Sequence, residues 1–198
     1  MIWLILSVLF WGLFHSLLAS LKAKELVRRR LGDRAMRFYR LGYNAFACVS
    51  FLPVLALAAL TPDRTLYLVQ LPWSGLMVFG ELLAVAALVI GFRQTDAWEF
   101  LGLRQLSGKE EQPAQLTTSG LYRCVRHPLY TTGLLFIWLT PIMTVNILAI
   151  NLGLTVYILG GAYFEERKLN REFGAQYAAY QSTTPMLIPG LRLSRNKK

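Results

Sequence analysis

The fold is decided by one stretch, from Gly120 to Arg167, which reads GLYRCVRHPLYTTGLLFIWLTPIMTVNILAINLGLTVYILGGAYFEER. No charged residue occurs within it between Leu129 and Phe164. That run of 36 residues is too long for a single membrane crossing, since about 20 apolar residues span a bilayer. The stretch therefore predicts two membrane spans rather than one.

A turn is predicted near the middle of the run, where Pro141 and the polar pair Thr144 and Asn146 interrupt the apolar sequence. A turn there folds the run into two antiparallel helices, a C-terminal helical hairpin over residues 129–164. The two ends of this hairpin, residues 126–130 and 163–167, then return to the same membrane face. We therefore expect arginine, histidine, tyrosine and carboxylate side chains to converge at the mouth of the hairpin.

The composition indicates an integral membrane protein. Of the 198 residues, 55% are hydrophobic and 16% are charged, against roughly 25% charged in a typical soluble domain. The apolar residues are grouped in long runs, which distinguishes a membrane protein from a merely hydrophobic globular one. A net charge of +10 is also compatible with nucleic-acid binding, but all 21 Lys and Arg lie between the apolar runs, where topology signals occur. No nucleic-acid partner is expected.

Three spans are predicted before the hairpin, over residues 2–20, 43–61 and 74–92. The segments between spans differ in charge, since 20 of the 21 Lys and Arg lie in residues 21–42, 93–128 and 165–198. The positive-inside rule places these three segments in the cytoplasm and the N-terminus outside. The predicted fold class is an all-α integral membrane protein with five transmembrane helices in a single domain, residues 1–198. Residues 1–92 hold spans one to three, 93–128 form a cytosolic segment, 129–164 the hairpin and 165–198 a cytosolic tail.

The first span is expected to be retained rather than cleaved as a signal peptide. No basic residue precedes its apolar core, whereas Lys22 and Lys24 follow it. The two cysteines, Cys48 and Cys124, show no ligand spacing, so they are expected to be reduced and unpaired, and no metal site is predicted.

The tail is predicted to begin as an amphipathic cytosolic helix. Apolar and aromatic side chains recur there at spacings of four, four and three residues, at Leu169, Phe173, Tyr177 and Tyr180. Pro185 and Pro189 end the pattern. Two placements are open for this helix: along the membrane surface, or as a cap over the hairpin mouth.

The entry to the hairpin favours an anion site. Pro128 suits the first turn of a helix, and the unpaired N–H groups of that turn would lie beside Arg126 and His127. The arginines could instead be ordinary interfacial anchors. Glu165 and Glu166 lie about 100° apart on the closing helix, so one of them is expected to point into the hairpin.

A carboxylate at a helix C-terminus is disfavoured by the helix dipole, so a partner should hold this one in place. The candidate partners are Arg126, His127 or a cationic ligand. The alternative is a solvated face on which the carboxylates pair with Lys168 or Asn170.

Two further polar residues lie within predicted spans. Glu81 is the only charged residue in any apolar run, and both a functional and a structural role are open for it. His15 lies in the cytoplasmic half of span one, where it either packs or lines an acceptor pocket. Gly133, Gly160 and Gly161 are interpreted first as positions of close helix packing.

Arg126-His127-Pro128-Leu129-Tyr130, an apolar hairpin and then Glu165-Glu166 together resemble the RHPxY…EE signature of the isoprenylcysteine carboxyl methyltransferase superfamily. The approach sequence LTTSGLYR, residues 116–123, and the spacing of Phe173, Gly174, Tyr177, Tyr180 and Pro185 also look like this family. The resemblance covers residues 115–189.

The front half is similar to the methanethiol S-methyltransferase branch. FHSLLA at residues 14–19 and FLGLRQ at residues 100–105 look like its HSxxA and FGLRQ elements. Leu101 stands where that branch often has Phe, and this chain is shorter. These departures concern the acceptor rather than the cofactor.

The resemblance implies an S-adenosyl-L-methionine-dependent membrane methyltransferase that acts on a small or lipophilic acceptor, a thiol or a carboxylate, at the cytoplasmic leaflet. It implies a bacterial inner membrane location, catalytic roles for Arg126 and Glu166, and an acceptor pocket that includes His15 and Arg104. The implied cofactor-binding residues are His127, Pro128, Leu129, Tyr130, Gly133, Tyr163, Glu165 and Glu166.

Two other functions are open. His15 and His127 are the only histidines and could serve as axial ligands in a haem or electron-transfer protein. The chain could also be a non-catalytic assembly factor of the same fold. The acceptor, the choice between Glu165 and Glu166, and the oligomeric state are left open.

Overall fold

A computed structural model describes residues 1–95 and 115–191. A 3₁₀ turn, Gly120–Arg123, precedes the fourth helix. The helices and strands are α1 (Ile2–Ala19), α2 (Leu21–Leu60), β1 (Thr65–Leu68), α3 (Trp73–Gln94), α4 (Pro128–Trp138), β2 (Ile142–Thr144), α5 (Val145–Phe173) and α6 (Ala175–Thr183).

The predicted class, an all-α integral membrane protein, is confirmed. Within the described ranges, α1, α2, α3 and α5 are long and apolar enough to cross a membrane. The helix at the predicted fourth span, α4, has 11 residues, fewer than the roughly 20 that a straight crossing requires. The count of five spans, the membrane-crossing hairpin and the division of the chain into cytosolic and membrane segments stay predictions.

Helix α2 is longer than the span predicted over residues 43–61, because the basic segment before that span is also helical. The hydroxyl of Ser20 caps its start by accepting the N–H of Ala23 at 3.2 Å. Gly32, with φ of 76° and ψ of 178°, breaks the helix into two parts. Only the second part coincides with the predicted span.

The described residues divide into two compact units. The first holds residues 1–68 and 142–157, and the second holds residues 69–95, 115–141 and 158–191. Helix α5 contributes its first part to one unit and its second part to the other.

In the first unit, α1 and α2 run antiparallel. The indole Nε1 of Trp11 donates to the carbonyl of Ala47 at 3.2 Å, and Tyr39 donates to the carbonyl of Leu18. Helix α5 packs closely on α1, because the absence of a side chain at Gly12 leaves room for the ring of Tyr157.

A two-stranded antiparallel ribbon, which was not predicted, also belongs to the first unit. It pairs β1 with β2 in a register that places Thr65 opposite Thr144. Beside it, the carboxylate of Asp63 accepts the N–H of Asn146 at 3.0 Å. The chain is not helical between Trp138, where α4 ends, and Val145, where α5 begins, and the turn near Pro141 stays a prediction. The side-chain amide of Asn146 donates to the carbonyls of Ala58 and Thr61 at 3.0 and 3.1 Å.

In the second unit, α3 and the 3₁₀ turn hold the start of α4 in place. Gly91 lets the side chain of Leu129 approach α3 closely. The side-chain oxygen of Gln94 accepts the N–H of Leu121 at 3.0 Å. Gly120 has a φ of 60°, a conformation that favours glycine, and it is the first residue of the 3₁₀ turn.

Candidate functional site

The start of α4 is held by the C-terminal strap, residues 184–187. The N–H of Arg126 donates to the carbonyl of Pro185 at 2.9 Å, and the N–H of His127 donates to the carbonyl of Met186 at 3.1 Å. His127 is the N-cap residue and Pro128 lies in the first turn, as predicted. The strap therefore uses the backbone donors just before the helix.

Glu166 is the centre of a buried cluster in the second unit, which we call the Glu166 cluster. Its carboxylate accepts five hydrogen bonds: from Arg126 Nε and Nη2 (2.9 and 2.8 Å), His127 Nε2 (2.8 Å), Tyr177 Oη (2.6 Å) and Gln181 Nε2 (2.5 Å). Glu166 is only 8% exposed. Because an ionised carboxylate offers about four lone-pair positions, the protein itself fills its acceptor capacity.

The guanidinium group of Arg126 also donates its hydrogen bonds to acceptors within the protein. Besides its two bonds to Glu166, its Nη1 donates to the carbonyl of Gln181 at 3.4 Å and to the carbonyl of Thr184. The side chain of Arg126 is 10% exposed, so its charge and that of Glu166 form a buried, bidentate pair. The pair joins the residues before α4 to α5, α6 and the strap.

Tyr177 and Tyr180 attach α6 to this site in different ways. Tyr177 is 1% exposed and donates to the Glu166 carboxylate, whereas Tyr180 donates to the backbone carbonyl of Tyr122. Burial, followed by the hydrogen bond to Glu166, raises the pKa of Tyr177 far above its usual value. Tyr177 therefore remains a protonated donor. Burial also raises the pKa of Tyr180 to about 12.

Glu165 is placed differently from its neighbour. Its side chain is 42% exposed, and it accepts a hydrogen bond from the hydroxyl of Tyr130 at 2.8 Å. His127 Nδ1 lies 3.8 Å from the same carboxylate oxygen, and the rings of His127 and Tyr130 stack with centroids 5.5 Å apart. Burial, followed by the charge of Glu165, raises the pKa of Tyr122 to about 12. Glu165 is thus the carboxylate that solvent or a ligand can reach.

Open space lies beside Gly133, which comes one turn after Tyr130 on α4. A Cβ added at Gly133 would meet no atom of the described residues within 4 Å, and the same holds for Gly160. A Cβ at Gly161, one turn before Glu165, would reach the Tyr130 hydroxyl at 4.0 Å. Close packing, the first interpretation of these glycines, is not what surrounds Gly133 and Gly160.

The structure brings together six of the predicted site residues, Arg126, His127, Pro128, Tyr130, Glu165 and Glu166. Leu129 packs against Gly91, and Tyr163 is exposed with Arg167 over its ring at 5.8 Å. Glu166, rather than Glu165, points inward. The solvated alternative is not what forms for Glu166, because its carboxylate pairs with Arg126 and His127. Among the described residues, Asn170 donates to the backbone carbonyl of Glu166 and not to its carboxylate.

The two predicted acceptor residues, His15 and Arg104, are not among these six. His15 is in the first unit, where its Nδ1 is 2.7 Å from the Tyr157 hydroxyl and 2.9 Å from the Tyr43 hydroxyl. Arg104 lies outside the described residues. Glu81 is half-buried on α3.

Two residues that bond to the buried pair, Gln181 and Thr184, were not predicted. Gln181 follows Tyr177 by four residues, so extending the helical spacing through α6 would have placed it on the same face. No sequence pattern could predict the contact to the carbonyl of Thr184, because every residue has a backbone carbonyl whatever its side chain.

Comparison with known proteins identifies the class. Residues 75–176 match the phospholipid methyltransferase family, and the chain belongs to this family of membrane proteins. The resemblance to the isoprenylcysteine carboxyl methyltransferase superfamily is thereby confirmed.

The chain is also similar to individual curated proteins. The chain is 43% identical to methanethiol S-methyltransferase 2 of Bradyrhizobium diazoefficiens over 110 residues, which is 52% of this chain and 42% of the relative. It is 38% identical to methanethiol S-methyltransferase of Crocosphaera subtropica over 122 residues, 58% of this chain and 48% of the relative. It is 29% identical to protein-S-isoprenylcysteine O-methyltransferase B of Arabidopsis thaliana over 117 residues, 58% and 56% of the two chains.

The chain thus spans about half the length of the curated relatives it matches. No solved structure gives a significant match.

Proposed function

We propose that this chain is an S-adenosyl-L-methionine-dependent membrane methyltransferase. The observation that carries the proposal is a half-exposed carboxylate, Glu165, with a tyrosine hydroxyl and open space beside it, next to the buried Glu166 cluster. Its family, and relatives named as methyltransferases, support the same activity.

The residues beside the open space fit a cationic donor. S-adenosylmethionine supplies a methyl group on a positively charged sulfur, and it also carries an ammonium group. Glu165 offers a carboxylate that retains acceptor capacity after its bond to Tyr130. Gly133 leaves space that a side chain would fill, and the stacked rings of His127 and Tyr130 offer an aromatic wall. We assign donor binding to these four residues, with Pro128, Leu129 and Tyr163 shaping the surroundings.

Arg126 and Glu166 act, in this proposal, by positioning the groups that touch the ligand. Four hydrogen bonds from Arg126 already go to protein acceptors, and the Glu166 carboxylate is filled. Their pair holds His127 at the start of α4 and fixes the turn of α5 that carries Glu165. Since methyl transfer from a sulfonium needs alignment and exclusion of water, rigid positioning is the main contribution expected of the protein.

The acceptor is proposed to be small or lipophilic, with a thiol as the first candidate. Several relatives are named for methanethiol and one for isoprenylcysteine. A thiol needs a base or a lowered pKa to react, whereas a carboxylate needs neither. Acceptor roles for His15 and Arg104 stay predictions. The haem alternative stays a prediction; among the described residues, His127 Nε2 is bonded to Glu166 Oε1 at 2.8 Å, and His15 Nδ1 lies 2.7 Å from the Tyr157 hydroxyl and 2.9 Å from the Tyr43 hydroxyl.

The location that we propose is a bacterial cytoplasmic membrane, with the N-terminus outside and the C-terminus in the cytoplasm. The one-sided distribution of Lys and Arg supports this orientation, and bacterial relatives support the membrane. Membrane lipid is then the surrounding partner, and the acceptor reaches the site from the cytoplasmic leaflet.

The test is binding of S-adenosylhomocysteine to the purified chain by isothermal titration calorimetry, followed by radiolabelled methyl transfer. The acceptor panel contains methanethiol, longer thiols and a prenylated cysteine. We expect binding by the wild type and a loss of at least tenfold in affinity for Glu165→Gln, with the unfolding transition unchanged. No binding by a folded wild-type chain would overturn the proposal.

A further inference from the structure

Residues 21–40 form an exposed, strongly basic segment, which we call the basic arm. Eight Lys and Arg lie between Lys22 and Arg40, against Glu25 and Asp33, an excess of six positive charges. Both carboxylates are already paired within the arm, Asp33 with Arg28 at 3.4 Å and Glu25 with Arg29. These exposed pairs contribute little to stability. Lys22, Arg30, Arg34 and Arg37 are further exposed cations of the arm, and they can reach an anionic partner outside the chain.

The basic arm lies directly at the end of a membrane-crossing helix. Tyr39 donates to the carbonyl of Leu18, and Trp11 donates to the carbonyl of Ala47, so α2 runs antiparallel to α1 only from about Tyr39 onward. Residues 21–38 therefore extend past the carboxyl end of α1. The break at Gly32 turns the first part of the arm away from the axis of the spanning part.

Apolar side chains are exposed among these cations. Leu21, Leu26, Leu31 and Phe38 are 73%, 56%, 68% and 58% exposed, in the same twenty residues as the basic side chains. Long basic side chains mixed with exposed leucine and phenylalanine suit the boundary between lipid headgroups and acyl chains. Nucleic acid would satisfy the charges but would leave these apolar side chains in water.

We propose that the basic arm is a binding surface for anionic phospholipid headgroups of the bilayer that the chain crosses. The lysine and arginine side chains contact the phosphates, and the exposed leucine and phenylalanine side chains enter the interfacial region. This inference is independent of the proposed methyl transfer, because no residue of the arm belongs to the candidate site.

The test uses a probe on the arm of the full chain. Leu26→Cys, in a background with Cys48→Ser and Cys124→Ser to remove the exposed native thiols, is labelled with an environment-sensitive fluorophore. The chain in neutral detergent micelles is titrated with phosphatidylglycerol or with phosphatidylcholine. We expect a blue shift with phosphatidylglycerol only, and its loss as the salt concentration rises.

Charge variants decide whether the arm itself is responsible. Arg30→Gln with Arg34→Gln should lower the apparent affinity for phosphatidylglycerol by about 25-fold, since each cation near an anionic surface contributes a factor of roughly five. The matched control, Lys168→Gln with Arg171→Gln on α5, should change it by less than about twofold.

An equal response to both lipids, or an equal effect of both charge variants, would overturn the proposal. A stronger response to an RNA oligonucleotide than to phosphatidylglycerol would overturn the lipid assignment as well.

Discussion

Replacing Tyr177 by phenylalanine tests whether the Glu166 cluster is a stabilising centre of the second unit. The substitution removes one hydroxyl, whose oxygen lies 2.6 Å from Glu166, and leaves the ring in its buried place. A hydrogen bond to a charged group contributes about 1.5–3 kcal/mol. Because Glu166 keeps four other donors, we expect a loss of about 2 kcal/mol, a factor of roughly 30 in the folding equilibrium.

Tyr180→Phe is the matched control for this change. Tyr180 lies three residues later on α6 and is also buried, but its hydroxyl donates to the neutral carbonyl of Tyr122. A bond between neutral groups contributes about 1 kcal/mol, so this variant should cost about half as much. The two free energies of unfolding are compared by reversible SDS titration in mixed micelles, with near-ultraviolet circular dichroism as the signal.

A double-mutant cycle shows whether Tyr177 acts through Glu166. The cost of Tyr177→Phe should fall by at least about 0.5 kcal/mol when Glu166 is already glutamine, since contacting residues couple. Strict additivity, or a cost no larger than that of Tyr180→Phe, would refute the reasoning from the contacts.

Three further changes separate the roles of other positions. Glu166→Gln leaves the charge of Arg126 buried and unpaired and should cost about 3–5 kcal/mol in SDS titration, and a cost under about 1 kcal/mol would contradict a buried ion pair. Gly120→Ala places a side chain at a φ of 60° and against the side chain of Gln94, so the unfolding free energy should fall by at least about 1 kcal/mol. Gly133→Ala should keep or raise stability, by up to about 1 kcal/mol, and weaken S-adenosylhomocysteine binding at least tenfold by calorimetry. Unchanged binding would show that the donor does not bind beside α4.

The elements that depend on local sequence were predictable. Hydropathy runs located α1, α3 and the spanning part of α2, because burial in lipid requires long continuous apolar segments. Pro128 marked the start of α4, since a proline costs little in the first turn of a helix. The turn expected near Pro141 predicted that the residues around His127 would lie close to Glu165 and Glu166.

Other elements could not be read from the sequence, because they depend on contacts between distant segments. The apolar run over 129–164 gave no sign that α4 would end after 11 residues. The β1–β2 ribbon has strands of only four and three residues, too short for a periodic signal. Gly32 breaks a helix whose flanking residues are good helix formers, and only its φ of 76° reveals the break.

The sequence by itself determined that this chain crosses a membrane, where α1, α3 and α4 begin, and that one arginine, one histidine and two carboxylates meet. Hydropathy, proline and charge act locally, so a linear pattern carries them. Only the tertiary structure decided that Glu166 turns inward and Glu165 outward. That choice depends on α6 and the C-terminal strap, whose Tyr177, Gln181 and backbone carbonyls fill the bonds of the buried pair.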